Sequence, residues 1–424
     1  MNKTIYQEID ETLYTFTHPS GLRVQIVPKP GYYKKFAIFS VDFGSINKRF
    51  IIPGQQKITE VPGGVAHFLE HKLFEQEDGN VMDRYAALGA SSNAATSFSR
   101  TYYYFTCTDC FAQCLALLLH FVLHPYITEE SVEKEKGIIS QEINMYLDSP
   151  DFVVSMNLLR LLFHNNPVRE DIAGSVEDVM HTTADILRLC HSTFYSPDNM
   201  VLTVVGDVSP EEVASIVRDQ ISGERRTGTL QRIFDEEPAS LAGTSQIVRM
   251  DVATPLFNIG FKDHALRYTG MERVRRELAG TILKDMLFGR SSAFFEDLYN
   301  RGLINQEFYA DYDIERDYAM AGLGGESKDP ETVRELVAQY LQRCKRDGFN
   351  QADFEMLRNA YAGRLLKRLN VPETIGKQFS ALYLQGISGF DYFSACGTIT
   401  FDEINQVFEE VFLQDMAISV VLSK

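Results

Sequence analysis

No apolar run in this 424-residue sequence is long enough to cross a bilayer. The longest, around Leu115 to Leu123, falls well short of the roughly 20 residues that a spanning helix needs. The N-terminal stretch MNKTIYQEIDETLYTFTH is polar and lacks the apolar segment of a secretory signal. These two absences argue against a membrane partner and lead to the expectation of a cytoplasmic protein. Cysteine is scarce, with 6 residues, which fits a reducing compartment. Three of them cluster as Cys107, Cys110 and Cys114. A Cys-x-x-Cys can hold a metal or act in redox chemistry, but no second pair matches it. It lies where an aromatic strand runs into an apolar helix, so the three are read as buried free thiols. Positive charge is also short: 41 Lys and Arg stand against 58 Asp and Glu, a net charge of −17. That excludes nucleic acid as a natural partner and favours basic peptides.

Apolar residues make up 45% of the chain, and at this length two domains are expected. LYTFTHPSGLRVQIVPKP reads as two strands around a Pro-Ser-Gly turn. FAIFSVDFGSI, TSFSRTYYYFTCT and NMVLTVVGDV read as further strands. Helices are expected over 64–75, 80–88, 110–123, 128–148, 151–164, 176–192 and 209–221. The mixture predicts an α+β domain over 1–221. The polar stretch SGERRTGTLQRIFDEEPASLAGTSQ then reads as a linker over 222–245. In 246–424 the pattern partly repeats. QIVRMDVATPLFNIGFKD echoes the early strands, helices are expected over 271–288, 291–301, 330–347 and 351–369, and MAISVVLSK echoes NMVLTVVGDV. The halves are read as two copies of one fold, each a mainly antiparallel sheet with helices packed on it.

Chemistry concentrates in GGVAHFLEHKLF, Gly63 to Phe74. Read as a helix at about 100° per residue, it puts His67, Glu70, His71 and Phe74 on one face and Val65, Leu69 and Leu73 on the other. Two imidazoles at i, i+4 are spaced to reach one metal ion. Such a pair alone is commonly structural. His120 and His124 share the spacing inside LALLLHFVLHP without a carboxylate between them, and are read that way. Glu70 distinguishes the first pair, because His-x-x-Glu-His is the inverted zincin motif and its carboxylate can take a proton from water.

A third ligand is offered by TEESVEKEKGIISQEINMYLDS, read as a helix capped by Thr128 with Glu129 and Glu130 in its first turn. Its apolar stripe is Ile138, Ile139, Ile143 and Tyr146. Glu135 and Glu142 are seven apart, so they differ by only ~20° around the axis and lie within that stripe. Glu130 and Glu133 point to water. Carboxylates on a core-facing stripe require a positive partner, either a divalent cation or a buried Arg or Lys.

His67-Phe-Leu-Glu70-His71 followed by Glu135-x6-Glu142 resembles the pitrilysin family of metallopeptidases, which includes insulin-degrading enzyme and mitochondrial processing peptidase. GASSNAATSFSRTYYYF, EKEKGIISQEI and SPDNMVLTVVGDV strengthen the likeness. It runs over essentially the whole chain and is strongest to the short two-domain bacterial members. The resemblance implies that the two domains form half of a clamshell chamber, with metal only in the first. It implies zinc, one ion per chain, on His67, His71 and Glu142. Glu70 becomes the general base, and Glu135 supports the site without touching the ion. Asn93, Ala94 and Thr96 would lie on an edge strand to which the substrate peptide adds.

The chain departs from the family at one place. Active members carry an Arg-x6-Tyr pair in the second half. Aligned on Arg301-Gly302-Leu303, the Tyr position holds Asn305, and the Arg position holds Leu298, or Tyr299 if one residue is deleted. Short members pair two chains, and a homodimer of this one would present no such pair to its zinc. The expected function is therefore a zinc endopeptidase acting on peptides or unfolded segments as the metal-bearing subunit of a heterodimer. The alternative is a peptide-binding or scaffolding subunit without activity.

Overall fold

A computed structural model describes residues 1–264 and 267–424. They form two compact units, and neither is continuous in sequence. The first contains Met1–Ile143, Asp171–Phe234 and Lys367–Phe390; the second contains Asn144–Glu170, Asp235–Leu366 and Asp391–Lys424.

The strands of the first unit are β1 (Asn2–Tyr6), β2 (Glu11–Thr17), β3 (Arg23–Pro28), β4 (Lys35–Val41), β5 (Arg49–Ile51), β6 (Ile58–Glu60), β7 (Glu75–Gln76), β8 (Gly79–Asn80), β9 (Ser91–Thr96), β10 (Thr101–Cys107), β11 (Met200–Gly206) and β12 (Gln231–Arg232). Seven of them make one sheet in the order β1-β2-β3-β11-β4-β10-β9. All its pairs are antiparallel except β3 with β11. β11 is buried at every position, as its unbroken apolar sequence demands of a central strand. β9 is an edge.

The helices of the first half are α1 (Val65–Leu73), α2 (Val81–Ala87), α3 (Phe111–Leu123), α4 (Glu129–Leu147), α5 (Pro150–Leu162), α6 (Val176–His181), α7 (Ala184–Phe194) and α8 (Pro210–Gln220). The expected single helix over 176–192 is two. Thr182 turns extended, and Thr183 caps α7 by accepting from Ile186 N. Thr128 Oγ1 accepts from Ser131 N at 3.1 Å and so starts α4. The apolar stripe expected on α4 is only half correct. Ile139 and Ile143 are buried with Val132, whereas Ile138 and Tyr146 are exposed. Cys107 and Cys114 are buried, but Cys110 is exposed, because it occupies the residue before α3 in the left-handed region. His120 is exposed and His124 Nδ1 bonds back to His120 O, with no carboxylate in the pair.

The second unit is built on β13 (Ser245–Met250), β14 (Leu256–Lys262), β15 (Tyr309–Ile314), β16 (Ala319–Glu326) and β17 (Met416–Ser423). Their order is β13-β17-β14-β16-β15, with only β13 and β17 parallel. That reproduces β3-β11-β4-β10-β9 strand for strand. The helices of the second half of the sequence include α9 (Gly270–Phe288), α10 (Ala293–Asn300), α11 (Pro330–Asp347), α12 (Gln351–Arg368) and α13 (Pro372–Leu384), the last belonging to the first unit. The fold is α+β with mainly antiparallel sheets.

Two helices cross between the halves of the sequence. α5 follows α4 yet packs on β14 and β17. α13 follows α12 yet packs on β4 and β11. The alternation of β4 shows why the first unit needs α13. Ala37, Phe39 and Val41 face the main core, while Phe36 and Ile38 lie against Gly376, and Ser40 Oγ meets Ser380 Oγ at 2.5 Å. A division at a 222–245 linker does not describe these units. The linker is also fastened. β12 pairs with β5, and Glu237 accepts from the backbone N–H groups of His164, Asn165 and Asn166.

Candidate metal centre

α1 starts at Gly64, whose φ of 77° is left-handed, and a Cβ there would fall 2.0 Å from Ala173 O. Only glycine allows the 173–174 turn to lie this close, and Gly63 N–H donates to Asp178 Oδ1 at 3.2 Å. The buried stripe of α1 is Val65, Ala66, Phe68, Leu69, Lys72 and Leu73. Phe74, expected on the histidine face, lies past the last turn and packs into the core against Tyr103 and Phe121.

His67, Glu70 and His71 occupy the other face, half-buried. α4 brings Glu142 opposite them. Glu142 Oε2 lies 3.4 Å from His71 Nε2, and Oε1 lies 3.8 Å from His67 Nε2. One donor from each of the three falls within 4.8 Å of the others. A tetrahedron with corners about 2.0–2.1 Å from its centre, the zinc bond length to nitrogen and oxygen, has edges of about 3.4 Å. The donor set and spacing therefore fit a zinc ion. Among the described residues no other group of His, Cys, Asp and Glu converges in this way.

Charges around the trio favour ligation. Burial, helped by His71, pushes His67 down to about 4, so its ring is neutral and can donate a lone pair. Burial acts downward on His71 too, but the hydrogen bond and charge of Glu135, with Glu142 and Glu70, reverse it and raise the pKa. Glu135 Oε1 lies 3.0 Å from His71 Nδ1. A carboxylate only accepts, so Nδ1 carries the proton and Nε2 is left facing Glu142. Burial would raise Glu135, yet His71 and Lys72 outweigh it and hold its pKa low. His67 Nδ1 is buried and has no hydrogen-bond partner among the described residues.

Two contributors escaped the sequence reading. Lys72 is fully buried. Its Nζ bonds Glu75 and Ser131 O and lies 3.9 Å from Glu135 Oε2. The positive partner demanded by Glu135 is thus at least partly a lysine. The signal was available, since Val65, Phe68 and Lys72 recur at i, i+3 and i+7 on a buried stripe. The second is the role of Thr96, expected to face substrate. Its Oγ1 donates to Glu70 Oε2 at 2.6 Å. Burial raises the Glu70 pKa, with Thr96 and His71 opposing and Glu142 adding. Asn93 is exposed on β9, and its Oδ1 accepts from Ala94 N at 2.8 Å.

In the second unit, Leu298 is buried in α10 and Tyr299 is exposed. Asn305 Nδ2 donates to Glu326 Oε2 at 2.7 Å, and Tyr309 Oη donates to Asn258 Oδ1 at 2.8 Å.

Twin α+β units, one with a His-x-x-Glu-His helix facing a glutamate and one without, define the two-domain peptidase class. Residues 58–176 match the family model described as Insulinase (Peptidase family M16), and residues 181–361 match Peptidase M16 inactive domain. This chain belongs to the M16 peptidase family. A Bacillus subtilis (strain 168) relative named uncharacterized zinc protease YmfH is 38% identical, over 97% of this chain and 96% of its own. A crystal structure from Alicyclobacillus acidocaldarius, described as an M16-like peptidase, superposes with a TM-score of 0.94 at 34% identity, covering 98% of this chain and 99% of that one. A relative from Arabidopsis thaliana named as a mitochondrial-processing peptidase subunit beta is 24% identical over 96% of this chain and 77% of its own.

Proposed function

We propose that this chain is a zinc-dependent endopeptidase for peptides and unfolded segments, and the metal-bearing subunit of a pair. The convergence of His67 Nε2, His71 Nε2 and a Glu142 oxygen beside Glu70 carries this reading. These three residues would hold one zinc ion. When bound, the ion supplies Lewis acidity to the scissile carbonyl and the attacking water. Glu70 takes the proton from that water and passes it to the leaving amine. Its raised pKa suits a group that must accept and then release a proton. Glu135 holds the His71 ring and its tautomer. β9, with Asn93 and Ala94, offers a free edge where a peptide could add as a strand.

The partner follows from what the second unit lacks. The oxyanion needs placed donors, and losing one typically costs on the order of 10²–10³ in rate. Leu298 is buried and Asn305 is held by Glu326, so a homodimer would offer neither an Arg nor a Tyr at those positions. A similar-sized relative lacking His-x-x-Glu-His and bearing Arg-x6-Tyr would supply them. Residues 1–221 are assigned as the metal-bearing half and 246–424 as its metal-free counterpart, in a cytoplasmic setting. A scaffolding role is the poorer reading, because all five residues of the site are kept and assembled.

Metal analysis tests the reading. The purified protein should hold about one zinc per chain. His71→Ala or Glu142→Ala should lose it, and Glu70→Gln should keep it while losing hydrolysis. An empty site in Glu70→Gln would make Glu70 a ligand and overturn the assignment.

A further inference from the structure

Glu70 can act on water only if its carboxylate is aimed, and a glutamate side chain has several rotamers. α1 lies against β9. There Thr96 Oγ1 donates to Glu70 Oε2 at 2.6 Å. An ionised carboxylate only accepts, so the Thr96 hydroxyl is the donor. Thr101 sits opposite Thr96 in the β9–β10 register, is fully buried, and gives its proton to Phe43 O at 2.9 Å. Thr101 Oγ1 is 3.5 Å from Thr96 Oγ1, too long to compete with the 2.6 Å bond from Thr96 to Glu70. A short bond to a carboxylate in a half-buried site is strong enough to select one rotamer.

We propose that Thr96 is the positioning residue for Glu70: its hydroxyl fixes one carboxylate oxygen so that the other faces the attacking water. This rests on Glu70 being the base. It also makes β9 serve two purposes. The strand that would receive the peptide also holds the base, so seating of the peptide and alignment of the carboxylate share one element.

The test compares Thr96→Val, which keeps shape without the hydroxyl, with Thr96→Ser, which keeps the hydroxyl. Both are measured as zinc-loaded full-length protein, with and without the proposed partner, on a fluorogenic peptide. Crystal structures of both variants without metal supply a readout independent of turnover. Thr96→Val should keep its zinc and its KM while kcat falls about 10- to 100-fold, the factor carried by a hydrogen bond to a charged group. Its Glu70 carboxylate should occupy more than one rotamer. Thr96→Ser should restore both the rate and the single rotamer. A rise in KM at constant kcat would overturn the proposal and return Thr96 to substrate contact. An unchanged Glu70 rotamer in Thr96→Val would overturn it as well. If the wild-type protein hydrolyses no peptide in any combination, the peptidase reading fails instead, and the rotamer comparison still decides the role of Thr96.

Discussion

Glu135 shows how one residue can answer two demands. Its Oε1 orients His71, and its Oε2 lies near a lysine that water does not reach. Replacing Lys72 by Met would leave Glu135 and Glu75 without their cation. Breaking a buried pair from one side typically costs on the order of 3–5 kcal/mol, so urea unfolding of metal-free Lys72→Met should show a loss of about that size. A loss under about 1 kcal/mol would mean that water or another cation replaces the lysine. Glu135→Gln should bind zinc perhaps 10–100-fold more weakly, since the His71 ring is then held less firmly; chelator competition measures this. These residues differ in how far sequence reveals them. Helical spacing brings His67, Glu70 and His71 to one face and Glu135 and Glu142 to another, and the likeness to the family implies their roles. The burial of Lys72 is legible in the stripe of its helix, whereas its pairing with Glu135 and the Thr96 bond depend on how two elements meet, which no local periodicity encodes. A distant example is Glu277, raised to about 7 by burial, with Glu315 and Asp313 adding, and Tyr392 Oη donating to it at 2.9 Å. Its folded pKa lies above the unfolded value of about 4.3, so the folded state binds the proton more tightly. That contribution is complete below about pH 4 and is lost as pH rises through 7. Glu277→Gln should therefore raise the melting temperature by a few degrees at pH 8 and leave it nearly unchanged at pH 4. An equal shift at both pH values would show that ionisation is not the cause.

Among the elements, β9 carries the clearest expectation. Its free side is edge backbone, and Asn93 already occupies Ala94 N–H with its own side chain. A peptide that adds here must make main-chain bonds. Substrates N-methylated at alternate amides should lose binding by roughly tenfold per lost bond, while methylation at the intervening amides should be tolerated. Equal tolerance at every position would remove β9 as the docking edge. The strands flanking this site were legible because they are apolar or alternate with period two. The apolar stripe of α4 is legible on one side only. Ile138 and Tyr146 are apolar by sequence yet exposed, while Lys136 is buried on the stripe of Val132, Ile139 and Ile143 and bonds Glu133 and Met180 O. α13 was missed, since Pro372 and Gly376 obscure a helix whose Ile375, Phe379 and Leu382 are buried.

At the scale of the whole molecule, the second half is as informative for what it omits as the first is for what it holds. If a paralogue supplies the Arg and Tyr, mixing the two chains should raise peptidase activity by on the order of 10²–10³, and mutating either partner residue should remove the gain. Full activity of this chain alone, unchanged by such a partner, would assign the oxyanion donor to a local group such as Tyr299 or Tyr309. The repeat itself was visible in the matching strand sequences that close each half. Its interleaving was not, because a helix's destination depends on which sheet it packs against.

The crossed helices turn the polypeptide into a natural split protein. A protease that cuts once in the exposed residues near 223–230 would separate α5 from the half that contains α13 without removing either from its sheet. The nicked protein should run as two bands on a denaturing gel and as one species by gel filtration. Expressed apart, each fragment would leave an apolar sheet face uncovered and should aggregate. Expressed together, they should find each other and regain zinc binding, which makes the chain suited to complementation assays.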